Sequence, residues 1–159
     1  MSYKVLGIDI STARIGFCEL SLFDMNCSSM DLSQYSLHKS RRQVIRQLIL
    51  SYKPSLVVTE AVRLFTYDFK NKKSFINVHA VKKLAIVTAV IEDSYDCPTK
   101  QIDVRSWKSA VFGTSKVKKN YSEVYIKQKY DIIVNNDLAD AICIAETGLY
   151  FPEKLKEIK

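Results

Sequence analysis

Asp9 lies inside Val5–Ile10, a run otherwise apolar enough to be a central strand. A buried carboxylate costs several kcal/mol unless a cation or hydrogen bonds compensate it, so this acid needs a partner. Three more acids stand in comparable places. Glu60 closes the apolar stretch "SLVVTE", and Asp137 and Asp140 in "NNDLADA" are three residues apart, on one face of a helix, while Ile142, Ala145 and Leu149 turn into packing. Carboxylates gathered without basic partners repel one another and raise their own pKa values, unless divalent cations bind among them. All-oxygen donors suit Mg²⁺ or Mn²⁺ rather than zinc. Two such ions close together are a device for in-line phosphoryl displacement, one activating water and one stabilising the leaving oxygen. Taken singly, Asp137 or Asn136 could simply cap a helix, and Glu60 could be an exposed strand end.

The elements that must carry these acids follow from apolar period and turn signals. Strands are expected over 3–10 and 14–23, joined as a hairpin by "STA", with a weaker third strand over 31–38. Ser40 is the expected cap of a helix over 41–52, whose Val44, Ile45, Leu48 and Ile49 share a face, and Pro54 ends it before the strand over 55–60. A polar, aromatic-studded loop over 63–73 leads to a helix over 74–92. Then come a short strand ("KQIDV"), a helical turn over 105–111, a loop at Gly113, and helices over 121–130 and 137–150. This order is that of an α/β domain with a mixed five-stranded sheet flanked by helices, one domain over 1–159. If the first strand neighbours "SLVVTE", Asp9 and Glu60 meet at their C-terminal ends, where open α/β sheets place ligands.

With 47% hydrophobic residues in 159, the chain can bury a core. Its longest apolar helical stretch, Leu84–Ile91, is far below the ~20 residues of a membrane span, and no secretory leader pattern opens the sequence, so a cytoplasmic protein is expected. The four cysteines are scattered without a C-x-x-C pair, which argues for reduced thiols rather than a zinc site. The net charge of +7 is local. Arg63, Lys70, Lys72, Lys73, Lys82 and Lys83 oppose Asp68, and Lys100, Arg105, Lys108, Lys116, Lys118 and Lys119 oppose Asp103. These two stretches carry +10 of the total +7, so the remainder is −3. Both flank the expected acidic cluster and would draw a polyanion onto a site that otherwise repels it.

The pattern resembles the RuvC family of Holliday-junction resolvases, within the ribonuclease H-like superfamily. The resemblance rests on "GIDIS" and "RIGF" on the first hairpin, "VVTE", "WKSAVFGTSKVKK", and "DLADAICIA" on the last helix. It implies a ribonuclease H-like fold, and Asp9, Glu60, Asp137 and Asp140 as ligands of two Mg²⁺ or Mn²⁺ ions. It also implies two lysines near the scissile phosphate, here Lys108 and Lys119, with Lys118 a rival for the second role. The implied activity is paired nicking of branched DNA by a homodimer, leaving 5′-phosphate and 3′-hydroxyl, with no nucleotide cofactor and no membrane. The family pairs through the helix that here carries Val78, Val81, Ala85 and Thr88. The short, lysine-rich chain looks most like a phage-encoded member.

Arg63, Lys70, Lys72, Lys73, Lys116 and Lys118 are the candidate phosphate contacts. Phe65, Tyr67 and Phe69, set among basic residues, suit stacking on unpaired bases at a branch point, although their spacing departs from the family's wedge loop. Trp107 reads as a core anchor. The alternatives are a ribonuclease H on RNA:DNA hybrids, a noncatalytic junction-binding protein, and a sugar-kinase or actin-like ATPase suggested by "GIDIST". The last needs a second domain for which this chain is too short.

Overall fold

The first strand, β1 (Val5–Ile10), is apolar on both faces because it lies inside a sheet, between β2 (Arg14–Leu20), antiparallel, and β4 (Leu56–Glu60), parallel. The computed structural model describes residues 2–11, 13–35, 38–61, 66–68, 73–75 and 78–157. With β3 (Met25–Asp31) and β7 (Thr99–Ile102) the sheet runs β3-β2-β1-β4-β7, the mixed five-stranded, ribonuclease H-like arrangement expected, and the two-residue β8 (Lys156–Glu157) adds an antiparallel edge beside β7.

Strand parity sorts the side chains into two layers. Leu6, Ile8, Ile15, Phe17 and Val57 face α1 (His38–Ile49) and α2 (Val78–Glu92), where Ile45, Ile49 and Ile91 complete one core. Val5, Cys18, Leu20 and Val58 face the other way, onto α5 (Asn136–Tyr150), with Trp107 of α3 (Val104–Phe112) and Ile126 of α4 (Tyr121–Tyr130) in the same cluster. Asp9 and Glu60 have the parity of Val5 and Val58, so both belong to the α5 layer.

Glycine sets how closely α5 can approach. A Cβ on Gly7 would stand 2.3 Å from the carbonyl oxygen of Ala141 and 2.3 Å from the amide nitrogen of Ala145, and one on Gly16 would stand 2.3 Å from the carbonyl oxygen of Asp137. The helix backbone therefore rests directly on β1 and β2. Its other flank is tied to α4 through buried Glu146, which accepts from Tyr125 Oη at 2.9 Å, from Lys129 Nζ at 2.7 Å, and from Tyr130 Oη.

Several boundaries differ from the expectation. The third strand lies at Met25–Asp31, not 31–38, because Ser21 builds a turn: its Oγ accepts from Phe23 N at 3.3 Å and Asp24 N at 3.0 Å, and the chain reverses there. Leu22 and Phe23, whose apolarity extended the expected second strand, are exposed at that turn. Ser40 is inside α1, which begins at His38. Part of the expected 63–73 loop is a hairpin of β5 (Thr66–Asp68) and β6 (Lys73–Phe75), so Ser74 is in a strand and α2 starts only at Val78. Among the described residues no helix is long and apolar enough to cross a membrane.

Candidate active site

Parallel register brings the first two acids side by side. Ile8 pairs with Thr59, so Asp9 and Glu60 follow as neighbours at the C-terminal ends of β1 and β4. Across the hairpin Asp9 pairs with Gly16, the residue on which the Asp137 backbone sits. The first turn of α5 thus arrives beside Asp9. Asn135 caps this helix, its Oδ1 accepting from Leu138 N at 2.9 Å. The cap is therefore neither Asn136 nor Asp137; Asp137 lies in the first turn, where an acid also suits the helix N-terminus.

The electrostatics record the convergence. Burial, followed by the charges of Glu60, Asp140 and Asp137, pushes the Asp9 carboxyl up to about 8, against a pull downward from Lys108. Asp140 is raised as well, chiefly by burial, while a hydrogen bond with Ser122, the Lys108 charge and a hydrogen bond from Asn136 hold it down. Lys108 is therefore the cation that both carboxyls feel. Asp137 meets Arg14 at 4.0 Å, a half-exposed pair of little consequence for stability.

Asp9 holds its proton in the fold well above the range where an unfolded aspartate ionises, so its stabilising contribution is complete below about pH 4 and is lost as the pH rises through about 8. Without divalent cations, the melting temperature is expected to fall between these limits and level off above them. Differential scanning calorimetry of wild type and Asp9→Asn checks this, since the variant should lose most of the slope.

Oxygen donors are the chemistry present. Asp140 Oδ1 and Asn136 Oδ1 are buried without hydrogen-bond partners, while Asn136 Nδ2 donates to Asp140 Oδ2 at 3.2 Å. Orphaned, buried acceptor oxygens beside a proton-retaining Asp9 fit a hard divalent cation. As the side chains stand, no three His, Cys, Asp or Glu groups among the described residues form a ready-made cage. The fit is in donor type and charge, with ligation requiring the carboxylates to draw in.

Trp107 does more than anchor the core. Asp103 caps α3 by accepting from Arg105 N and Ser106 N, each at 3.0 Å, and this start directs fully buried Trp107 inward, where Nε1 donates to Glu60 Oε2 at 3.1 Å. The next residue, Lys108, reaches the acids with its Nζ 5.2 Å from the Trp107 ring centroid. Trp107→Phe is expected to cost about 1–3 kcal/mol through the lost hydrogen bond and the volume left behind. Urea denaturation should show a lower midpoint at unchanged slope. A W-K pair after a strand, with acids elsewhere, was the available sequence signal for this contact, and the i,i+4 spacing to Asp140 was that for Asn136; Arg14 and Ser122 had none.

The other candidates separate. Lys116, Lys118 and Lys119 are exposed on the loop between α3 and α4, beyond the Gly113 C-cap (φ 74°). Tyr67 and Lys73 belong to the β5–β6 hairpin, opposite Ser74 and Asp68 in register. Arg63, Phe65, Phe69, Lys70 and Lys72 lie outside the described residues. On α2, Val78 and Ala85 are exposed and Val81 and Thr88 half-buried.

No family model matches the sequence, and no curated protein matches it by sequence. Solved structures do match. Thermus thermophilus RuvC is similar with a TM-score of 0.71 at 18% identity, over 98% of this chain and 99% of that one. The same protein in complex with a Holliday junction substrate gives 0.73 at 14% identity, over 98% and 99%. The yeast mitochondrial Holliday junction resolvase gives 0.50 at 15%, over 91% of this chain and 76% of that one. At such identities the likeness is one of fold.

Proposed function

We propose that this chain, folded as RuvC is, forms a single nuclease domain that resolves four-way DNA junctions by divalent-metal-dependent nicking. The feature that supports the reading is the convergence of Glu60, Asp140 and Asp137 on Asp9 at the C-terminal ends of β1 and β4, beside Lys108, where burial first and then those charges push the Asp9 carboxyl up to about 8. Structural ion networks shift pKa values too, but an excess of acids in a crevice at strand ends is an arrangement that chemistry uses.

Two Mg²⁺ or Mn²⁺ ions, when bound, would supply Lewis-acid stabilisation and an activated water. The chain's own residues do the rest. Asp9, Glu60, Asp137 and Asp140 would hold the ions; Trp107 fixes Glu60, and Asn136 fixes Asp140. Lys108 stabilises the extra negative charge on the phosphorus centre during displacement, with Lys119 or Lys118 as its second cation. Arg63, Lys70, Lys72, Lys73, Lys116 and Lys118 hold DNA phosphates, and Phe65, Tyr67 and Phe69 meet unpaired bases at the branch.

The solved structures that share this fold include one bound to a Holliday junction, which supports the choice of substrate. Paired nicks across a symmetric junction call for a homodimer, formed through the exposed side of α2 around Val78, Val81, Ala85 and Thr88. The chain acts in the cytoplasm, of a bacterial host if it is phage-encoded.

The deciding experiment compares a labelled four-way junction, a fork, linear duplex and RNA:DNA hybrid, each with and without Mg²⁺. Nicking of the junction, dependent on Mg²⁺ and much faster than that of duplex or hybrid, is expected. Preferential cleavage of the hybrid would move the chain to the ribonuclease H class, and junction binding without cleavage would make it a noncatalytic binder.

A further inference from the structure

Away from the acidic edge, Cys18 on β2 and Cys27 on β3 are direct cross-strand partners. Hydrogen bonds at both ends of the ladder fix what kind of pair they are. Ser21 N donates to Asp24 O at 2.9 Å and Leu32 N donates to Ala13 O at 2.7 Å. Antiparallel ladders alternate hydrogen-bonded and non-hydrogen-bonded pairs. Counting inward from either end, three residues from Ser21 or five from Ala13, makes Cys18–Cys27 a non-hydrogen-bonded pair.

Such pairs have Cα atoms about 4.5 Å apart and both side chains on one face. A disulfide spans Cα separations of about 4.4–6.8 Å. The two side chains share one face of the ladder, and a hydrogen bond with Cys27, followed by burial, pushes the Cys18 thiol well above its ordinary range. Cys18 is fully buried under α5, whereas Cys27 is half-buried on the edge strand.

We propose that Cys18 and Cys27 form a reversible disulfide site, entered from Cys27 by small-molecule disulfides such as oxidised glutathione. The Cys27 thiolate attacks one sulfur of the small disulfide, forms a mixed disulfide and releases one small thiolate, which takes the proton of Cys18. The Cys18 sulfur then attacks that of Cys27, closing the protein disulfide and releasing the second small thiolate. Two protein thiols are oxidised and one small disulfide is reduced to two thiols. With excess small thiol the same exchange runs in reverse and the bond reopens. The cross-link would pin the hairpin whose Gly16, two residues from Cys18, supports the Asp137 end of α5. This inference does not depend on the nuclease reading.

The test is incubation of the folded full chain with oxidised glutathione, followed by mass spectrometry of the intact protein and of unreduced proteolytic fragments. Expected are loss of two hydrogens, a fragment linking Cys18 to Cys27, full reversal by dithiothreitol, and the same link in Cys97→Ser. In Cys27→Ser the link should vanish and Cys18 should stay unreacted, with circular dichroism confirming the fold. A Cys27 that carries only glutathione, a link from Cys18 to Cys143, or an unreacted Cys27 would each overturn the proposal.

Discussion

Asp140→Asn is expected to lower Mg²⁺-dependent junction nicking by about a hundredfold or more, since losing a metal ligand removes several kcal/mol of transition-state stabilisation. The fold should survive the change. Asp140 is half-buried, its enclosed Oδ1 has no hydrogen-bond partner, and the neighbouring Asn136 Oδ1 is equally orphaned. An amide at position 140 can donate to that oxygen and removes one charge from a self-repelling cluster. Metal-free melting should therefore hold or rise, while the stabilisation that wild type gains from added Mn²⁺ shrinks. Junction binding in Ca²⁺ or without metal should be kept or improved, as gel-shift titration would show. Wild-type nicking rates in the variant would remove Asp140 from the mechanism.

The second large effect is structural. Gly7→Ala places a methyl 2.3 Å from backbone atoms of both Ala141 and Ala145, and backbone on two packed elements has no rotamer by which to yield. The helix must lift from the sheet or the strand must bend. The expected loss is about 3 kcal/mol or more, at the upper end of overpacking costs, which is roughly a 6–12 °C fall in melting temperature for a domain of this size. Gly16→Ala meets the Asp137 carbonyl in the same way. Its displacement falls on the acidic end of α5, so its loss of Mn²⁺-induced stabilisation should exceed that of Gly7→Ala at equal destabilisation. Thermal melts with and without Mn²⁺ measure both. A Gly7→Ala protein as stable as wild type would show that α5 is not seated on β1 as described.

The acids were legible before any fold was known, because an Asp in an apolar strand breaks a local rule and Asp137 with Asp140 keeps helical spacing. The strand order was legible in outline for the same reason: alternation and apolar runs report burial, which is a local record of the surroundings. The third strand was misplaced because a serine-centred turn at Ser21 was hidden behind apolar Leu22 and Phe23. The β5–β6 hairpin was missed because short, polar strands leave little periodicity.

The sequence by itself determined which residue types this protein has for gripping cations and polyanions, and the elements that carry them. Tertiary structure alone decided that Trp107 donates to Glu60, that Lys108 is the cation acting on both Asp9 and Asp140, and that Cys18 faces Cys27. Each of these contacts joins segments or faces whose meeting depends on strand register and on the close seating of a helix over glycine. Register and seating are properties of packed surfaces, so no window of neighbouring residues contains them.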